Sequence, residues 1–260
     1  MKNTLFVGDM HLQMSLILKL VTKAINIYNI EHVVFIGDYT DQFGCTDLPN
    51  LYIDQLNLLN DWVSHHRDKD IRVTLLVGNH DIPYLINRPE YYSLKTNEFS
   101  LVSKLLWGLN MQVAVNLDNY IISHAGYINN TLPKDWHLES LTYNHIEGLN
   151  DLNENIGVTR GGYGKGGPVW ADLYSELLPN QNIKNGIQIV GHTPVKTIEI
   201  LNNGYLFGID TFSLDQNHNP IGDGSLLAIV NNKSTIIKNN EWLSNEFKQE
   251  RFKLLTGYDW

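Results

Sequence analysis

Residues 75–81 read Leu75-Leu76-Val77-Gly78-Asn79-His80-Asp81. With Arg72-Val73-Thr74 in front, the run begins as a buried strand and ends in four residues that a hydrophobic core rejects. A strand carries its last side chains to the edge of a sheet, and in α/β folds ligands bind at that edge. The pattern recurs. Thr4-Leu5-Phe6-Val7 runs into Gly8-Asp9-Met10-His11, and Val33-Val34-Phe35-Ile36 into Gly37-Asp38-Tyr39-Thr40-Asp41. Tyr120-Ile121-Ile122 runs into Ser123-His124-Ala125-Gly126, and Ile187-Gln188-Ile189-Val190 into Gly191-His192-Thr193-Pro194. Short apolar runs bounded by glycine are strand signals. One such histidine alone would be an ordinary buried or capping residue, but five strand ends carrying metal-type ligands outweigh that reading.

Between these strands lie helical stripes. Ile17, Leu20, Val21, Ala24, Ile25 and Tyr28 follow helical spacing, and a second helix is expected from Pro49, with Tyr52, Leu56, Leu59 and Val63 on one face. The first half therefore reads β-α-β-α-β, which implies a parallel sheet with right-handed crossovers. From residue 111 hairpins take over: 111–116 with 120–123, 197–201 with 205–209 around Asn202-Asn203-Gly204, and 226–230 with 234–237 around Asn231-Asn232-Lys233. A terminal helix is expected from Glu241 to about Leu255. No repeat, linker or boundary interrupts the chain, so residues 1–260 are expected to form one domain. Residues 127–186 show no clear periodicity. Their glycine-rich run, Gly161-Gly162-Tyr163-Gly164-Lys165-Gly166-Gly167, lacks the leading glycine and the Ser/Thr of a P-loop. A surface loop is its simplest reading; the sharper one is a mobile lid carrying Arg160, Tyr163 and Lys165.

The chain has 260 residues, 43% of them hydrophobic, enough for a sizeable core. Its formal net charge of −9 argues against non-specific nucleic-acid binding, which rests on Lys/Arg contacts to phosphate. No apolar run approaches the ~20 residues of a membrane span. The first candidate ligand is already residue 9, leaving no space for a leader peptide, so a cytoplasmic protein is expected. Cys45 is the sole cysteine; it cannot form an internal disulfide and reads as a small packing residue.

At an extended strand end, positions i and i+2 point the same way, so Asp9 and His11 can reach one ion. Asp38 comes from the neighbouring strand and has two oxygens with which to bridge two ions. Asn79, His124 and His192 supply three neutral ligands for the second. The set is nitrogen and oxygen without thiolate, which suits manganese, iron, zinc or a mixed pair rather than a structural zinc site.

Gly-Asp-x-His, Gly-Asp-x-x-Asp, Gly-Asn-His-Asp, His-Ala-Gly and Gly-His-Thr-Pro together resemble the signature of the calcineurin-like metallophosphoesterases. The last two are similar to the phosphoprotein phosphatase branch, which includes bacterial and phage Ser/Thr phosphatases and symmetrical diadenosine tetraphosphate hydrolases. Val169-Trp170-Ala171-Asp172 and Ile209-Asp210-Thr211 are weaker matches to that branch. The resemblance spans residues 8 to about 211. It implies an α/β fold, a four-layer α/β/β/α sandwich of two mixed sheets flanked by helices, with a dinuclear site at the strand ends. It assigns Asp9, His11 and bridging Asp38 to the first metal, and Asp38, Asn79, His124 and His192 to the second. The pair is expected to be two divalent ions, manganese first, with iron, zinc or nickel as alternatives. Pro194 stands where many members have a further histidine ligand, so water is expected to complete that shell. His80 matches the histidine that protonates the leaving group, and Asp41 the carboxylate that orients it.

The chemistry is coherent. Two cations on a shared water lower its pKa and yield hydroxide at neutral pH. The alkoxide leaving group needs a proton, which a histidine held by a carboxylate can give. The expected activity is hydrolysis of phosphomonoesters on phosphoproteins, or of dinucleoside polyphosphates. A phosphodiesterase acting on nucleic-acid ends or cyclic nucleotides is the alternative, and a non-catalytic scaffold a third reading that His80 and Asp41 argue against. The chain departs from the branch at Leu12, usually Gly, at Gln42-Phe43, usually Arg-Gly, and at Val77, often Arg. With those phosphate-holding arginines missing, Arg160, helped by Lys165, is expected to bind the substrate phosphate.

Overall fold

The computed structural model describes residues 2–257; Trp260, to which the sequence pattern gives no role, lies outside them. In chain order the principal elements are β1 (Thr4–Val7), α1 (Met14–Tyr28), β2 (His32–Phe35), α2 (Pro49–Arg67), β3 (Arg72–Leu75), α3 (Ile82–Leu85), α4 (Phe99–Gly108), β4 (Ala114–Leu117), β5 (Tyr120–Ser123), α5 (Ile146–Glu154), α6 (Leu178–Asn180), β6 (Ile187–Val190), β7 (Glu199–Leu201), β8 (Leu206–Gly208), β9 (Leu226–Val230), β10 (Lys233–Ile237) and α7 (Asn245–Thr256).

Two mixed five-stranded sheets form the centre, ordered β10-β9-β1-β2-β3 and β4-β5-β6-β8-β7. β1, β2 and β3 are parallel, with β9 antiparallel to β1. β5, β6 and β8 are parallel, and antiparallel β4 and β7 form the edges. Strand alternation sends every second side chain between the sheets. Phe6, Val34, Ile36, Leu76, Leu227 and Ile229 from one side meet Val115, Ile122, Ile189, Phe207 and Ile209 from the other. The opposite face of the first sheet, Leu5, Val7, Val33, Phe35, Val73 and Leu75, is covered by the apolar stripes of α1 and α2. The expected stripe residues Ile17, Leu20, Val21, Tyr52, Leu56, Leu59 and Val63 are all buried there. The second sheet is covered less regularly, by a π-type turn at Leu173–Leu177 running into α6, whose Leu173, Leu177 and Leu178 pack on Val190 and Leu206.

Three expectations shift in detail. The last hairpin turns on Asn231 and Asn232 alone, both left-handed (φ 51° and 60°), and Lys233 already belongs to β10. Two left-handed residues are what a two-residue turn between twisted strands requires. The terminal helix is broken: Asn240–Leu243 is a 3₁₀ turn, and α7 starts anew where the Ser244 hydroxyl accepts the Phe247 N–H at 3.2 Å. Residues 127–186 contain α5, α6 and several 3₁₀ turns, whose short length left no periodicity to read.

Candidate active site

β1, β2, β3, β5 and β6 end at one rim, and each contributes to a single cluster. His11 Nε2 lies 4.0 Å from Asp9 Oδ2 and 3.7 Å from Asp38 Oδ2. His124 Nε2 lies 3.4 Å from the same Asp38 oxygen and 2.9 Å from Asn79 Oδ1. Asp9, His11 and Asp38 form one group with ligand atoms within 4.8 Å of one another, and Asp38, His124 and His192 form a second. Asp38 belongs to both. All six candidate ligands are therefore brought together in one cluster.

Asp9 and His11 converge for a different reason than the one anticipated. The chain is not extended at His11 (φ 39°), and it turns so that His11 N–H donates to the Asp38 carbonyl at 2.8 Å. Leu12 follows with φ 60°, the left-handed conformation that a glycine would adopt freely. It occupies the position where the branch usually has Gly. The strain, ~1–3 kcal/mol for such a residue, is offset by a fully buried side chain. Asp38, Asp41 and His192 are left-handed too (φ 54°, 55° and 62°). Two glycines let the loops meet. A Cβ on Gly37 (φ 109°) would lie 2.5 Å from the Gly78 nitrogen, and one on Gly78 would lie 2.1 Å from Asp38 Oδ1.

Backbone carbonyls set the imidazole tautomers. His11 Nδ1–H donates to the Asp41 carbonyl at 2.8 Å, and His124 Nδ1–H to the Ile36 carbonyl at 2.8 Å. Each then turns Nε2 into the cluster, the orientation in which ligating histidines are held. Burial opposes charge on His124, yet Asp38 and Asp9 override it and push the ring up to about 10. Burial, with the Asp210 charge beside it, drives Asp9 well above the usual carboxylate range. Burial works against ionised Asp38 as well, but His124 and His80 hold it well below that range. His192 is driven far down by burial and by the charges of His124 and Arg160. His192 Nε2 is buried and has no hydrogen-bond partner. A cluster that needs protons at some ligands and leaves another nitrogen orphaned fits divalent cations, which replace those protons.

His80 stands outside both groups. Its Nδ1 lies 3.2 Å from Asp41 Oδ2, its backbone N–H donates to Asp38 Oδ1 at 2.9 Å, and its ring packs edge-on against His11 at 5.1 Å. Asp41 is buried and itself gripped: Tyr52 Oη donates to its Oδ1 at 3.0 Å and Tyr84 Oη at 2.5 Å. Sequence reasoning missed both tyrosines. It also missed Asp81, whose carboxylate accepts the backbone N–H groups of Gly78 (3.0 Å), Asp38 (2.9 Å), Tyr39 (2.9 Å) and Thr40 (3.2 Å) and so ties the second strand tip to the third. Its place in Gly-Asn-His-Asp was the available signal.

The cluster floors a cavity of about 720 Å³. Arg160 lines it, and its Nη2 lies 3.4 Å from Asp172 Oδ2 and 3.2 Å from Thr193 Oγ1. The arginine is thus already beside His192 on a 3₁₀ turn, Val158–Arg160, without any closure of the glycine-rich run. Lys165 is exposed and not part of the lining; the lysine that lines the cavity is Lys95, which sequence reasoning passed over. Arg88 pairs on the surface with Glu154 at 2.9 Å, and Arg251 is buried on the Trp242 ring at 4.1 Å.

No curated protein matches the chain. Among solved structures it is similar to a cold-active protein tyrosine phosphatase of a psychrophilic Shewanella species (18% identity, 92% of this chain and 81% of that one, TM-score 0.54). A mutant form of a cold-active protein tyrosine phosphatase gives 18% identity, 92% and 78% coverage and a TM-score of 0.59. A protein serine/threonine phosphatase from Saccharomyces cerevisiae gives 12% identity, 92% and 80% coverage and a TM-score of 0.54. At these identities the likeness is one of fold. No helix among the described residues is long and apolar enough to cross a membrane. The model of the calcineurin-like phosphoesterases matches residues 2–230, nearly the whole chain, and the chain belongs to that family.

Proposed function

We propose that this chain is a dinuclear, divalent-metal-dependent phosphoesterase acting on phosphomonoesters or dinucleoside polyphosphates. The observation that carries the reading is the pair of ligand groups sharing Asp38, with His80 beside them and outside both. Asp9, His11 and Asp38 would hold one ion, and Asp38, Asn79, His124 and His192 the other. Two such ions supply an activated water and neutralise charge on the phosphoryl oxygens. The chain's own residues do the rest. With Nδ1–H donated to Asp41, a protonated His80 ring presents Nε2–H to deliver its proton to the departing oxygen, and Asp41 holds the ring's orientation and favours its protonated form. Arg160, anchored by Asp172 and Thr193, offers the remaining edge of its guanidinium to a phosphate oxygen. Burial of the cluster strengthens each of these charge interactions.

The test is chelation followed by add-back of Mn, Ni, Zn, Fe or Mg, read with p-nitrophenyl phosphate, its bis ester, diadenosine tetraphosphate and a phosphopeptide. Activity is expected to vanish on chelation and return first with Mn, the monoester outrunning the diester. Full activity after exhaustive chelation overturns the reading.

A further inference from the structure

Arg251, in α7, is a buried cation with no carboxylate partner among the described residues. Its guanidinium sits 4.1 Å from the centre of the Trp242 ring. Nη2 donates to the Trp242 carbonyl at 3.1 Å, Nε donates to Gln13 Oε1 at 3.3 Å, and Nη1 has no hydrogen-bond partner. Burial lowers the group to about 10, so it stays charged at neutral pH. A buried charge without a counter-ion is unfavourable, and an apolar side chain of similar size is often as stable in its place. Attachment of α7 does not require the charge. Trp242 and Leu255 are already buried in the core, and Lys19 of α1 pairs with Glu250 of α7 at 2.7 Å.

What the guanidinium does, and an apolar side chain would not, is fix the Gln13 amide. A guanidinium only donates. It therefore selects the arrangement in which the Gln13 oxygen faces α7 and Nε2 donates to the carbonyls of Met10 and Phe212, both at 3.4 Å. Turned over, the amide would set donor against donor at one end and acceptor against acceptors at the other. The Met10 carbonyl lies between Asp9 and His11, the two candidate ligands that belong to the first group alone. Two consecutive left-handed residues follow it, His11 and Leu12 (φ 39° and 60°), and then Gln13, whose own N–H donates to the same carbonyl at 2.9 Å. Such backbone persists only where its surroundings over-determine it. The carbonyls of Asp38 and Tyr39 hold the turn from one side, accepting the His11 and Leu12 N–H groups at 2.8 and 3.2 Å. The Gln13 amide holds it from the other. We infer that Arg251 is a positioning residue for the Asp9–His11 ligand pair, acting through Gln13 to keep the left-handed turn in the shape that grips the first ion. The inference rests on the dinuclear reading of the cluster.

The experiment strips the full chain of metal and titrates it with Mn, followed by calorimetry and by the electron paramagnetic resonance of bound Mn. His11→Ala and His192→Ala identify which dissociation constant belongs to which ion. Arg251→Met and Gln13→Met are compared singly and together, with Leu255→Ala as a control for helix packing and a thermal melt of each. Arg251→Met is expected to melt close to wild type yet to weaken the Asp9–His11 ion roughly 3–10-fold, and Gln13→Met roughly 10–100-fold, the range for residues that support metal ligands. The other ion should change far less. Because Arg251 acts through Gln13, the double variant should bind Mn as Gln13→Met does. Saturating Mn should return kcat of Arg251→Met on p-nitrophenyl phosphate to the wild-type value. Leu255→Ala should lower Tm and leave both constants unchanged. Gln13→Met leaves Arg251 in place, so it decides the matter alone if Arg251→Met does not fold. Wild-type Mn binding in Arg251→Met or in Gln13→Met, or losses that add in the double variant, would reduce Arg251 to a packing residue and overturn the inference. So would a Leu255→Ala chain that loses affinity for the same ion by the same factor, since any loosening of α7 would then suffice. A wild-type chain that fails to bind two Mn ions defeats the dinuclear reading itself, and the inference with it.

Discussion

Replacing Tyr84 by Phe removes one oxygen and leaves the ring where it is. The ring is fully buried and stacks on Phe99 with centres 4.4 Å apart, so packing survives. The hydroxyl does two things: it donates to Asp41 Oδ1 at 2.5 Å and accepts the Leu94 N–H at 2.8 Å. Burial and the Asp41 charge push its own ionisation far up, so it is a donor at every working pH. The loss of one charge-assisted bond, ~1.5–3 kcal/mol, and the stranding of a buried backbone N–H, ~1–3 kcal/mol, together predict destabilisation of roughly 3–5 kcal/mol. At ~2–4 °C per kcal/mol, Tm should fall by roughly 6–20 °C. A folded protein has ~5–15 kcal/mol to lose, so activity remains measurable at 25 °C. Asp41 keeps only Tyr52 at 3.0 Å and His80 at 3.2 Å, so the imidazole is less firmly aimed. We expect kcat for alkyl phosphates to drop roughly 3–30-fold, a fraction of what loss of general acid catalysis costs. p-Nitrophenyl phosphate, whose leaving group needs little protonation, should change far less. Melts, metal analysis and kcat across a leaving-group series test this. If Tyr84→Phe melts within a degree of wild type and keeps its alkyl-phosphate kcat while Asp41→Asn is impaired, Asp41 does not depend on the tyrosine and the reasoning fails.

His80→Ala should lower kcat ~10²–10⁴-fold for alkyl phosphates and less for p-nitrophenyl phosphate, with metal content unchanged; equal losses on both, by the same leaving-group series, would make His80 structural or a ligand. Arg160→Ala should cost roughly 2–4 kcal/mol in kcat/KM for monoesters, by analogy with a lost oxyanion donor, and less for diesters; wild-type kinetics on all substrates would remove Arg160 from the site. His32 is buried against Thr74 Oγ1 at 2.9 Å, and burial with the Arg72 and Lys2 charges lowers its ring to about 4. The unfolded chain therefore protonates first as the medium is acidified, so His32 contributes stability fully above about pH 6.5 and loses it, by roughly 2–3 kcal/mol, as pH falls toward 4. Melts of His32→Gln against wild type should show a deficit that shrinks across that window, and a deficit independent of pH would refute the assignment.

Much of this protein could be read without coordinates, because the informative signals are local. A strand shows itself by four or five apolar residues, and its end by the glycine and candidate ligand that follow; that sufficed to single out Asp9, Asp38, Asn79, His124 and His192, whereas the two mixed sheets that carry them were expected from the family resemblance. The long stripes of α1 and α2 were equally plain, since three or four turns of period 3.6 exceed chance. What lay hidden depends on which loops meet. Asp81 binds residues 38–40, Tyr84 reaches Asp41 from 43 positions away, and Asn153, Arg160 and Trp170 come to one cavity from a helix end and separate short turns. Lys165 and Arg160, five residues apart in one exposed-looking run, end on opposite terms with the cavity, one outside and one inside. Hydrogen bonds of this kind have no period, and their energy exists only once sheet register has brought the partners within 3 Å or so. Residue types and local spacing therefore marked the strands and the candidate ligands at their tips, while the grip on Asp41, the left-handed turn at Leu12 and the shape of the cavity came from tertiary packing alone, since each is a relation between segments remote in sequence that meet only once the strands have taken their places in the sheets.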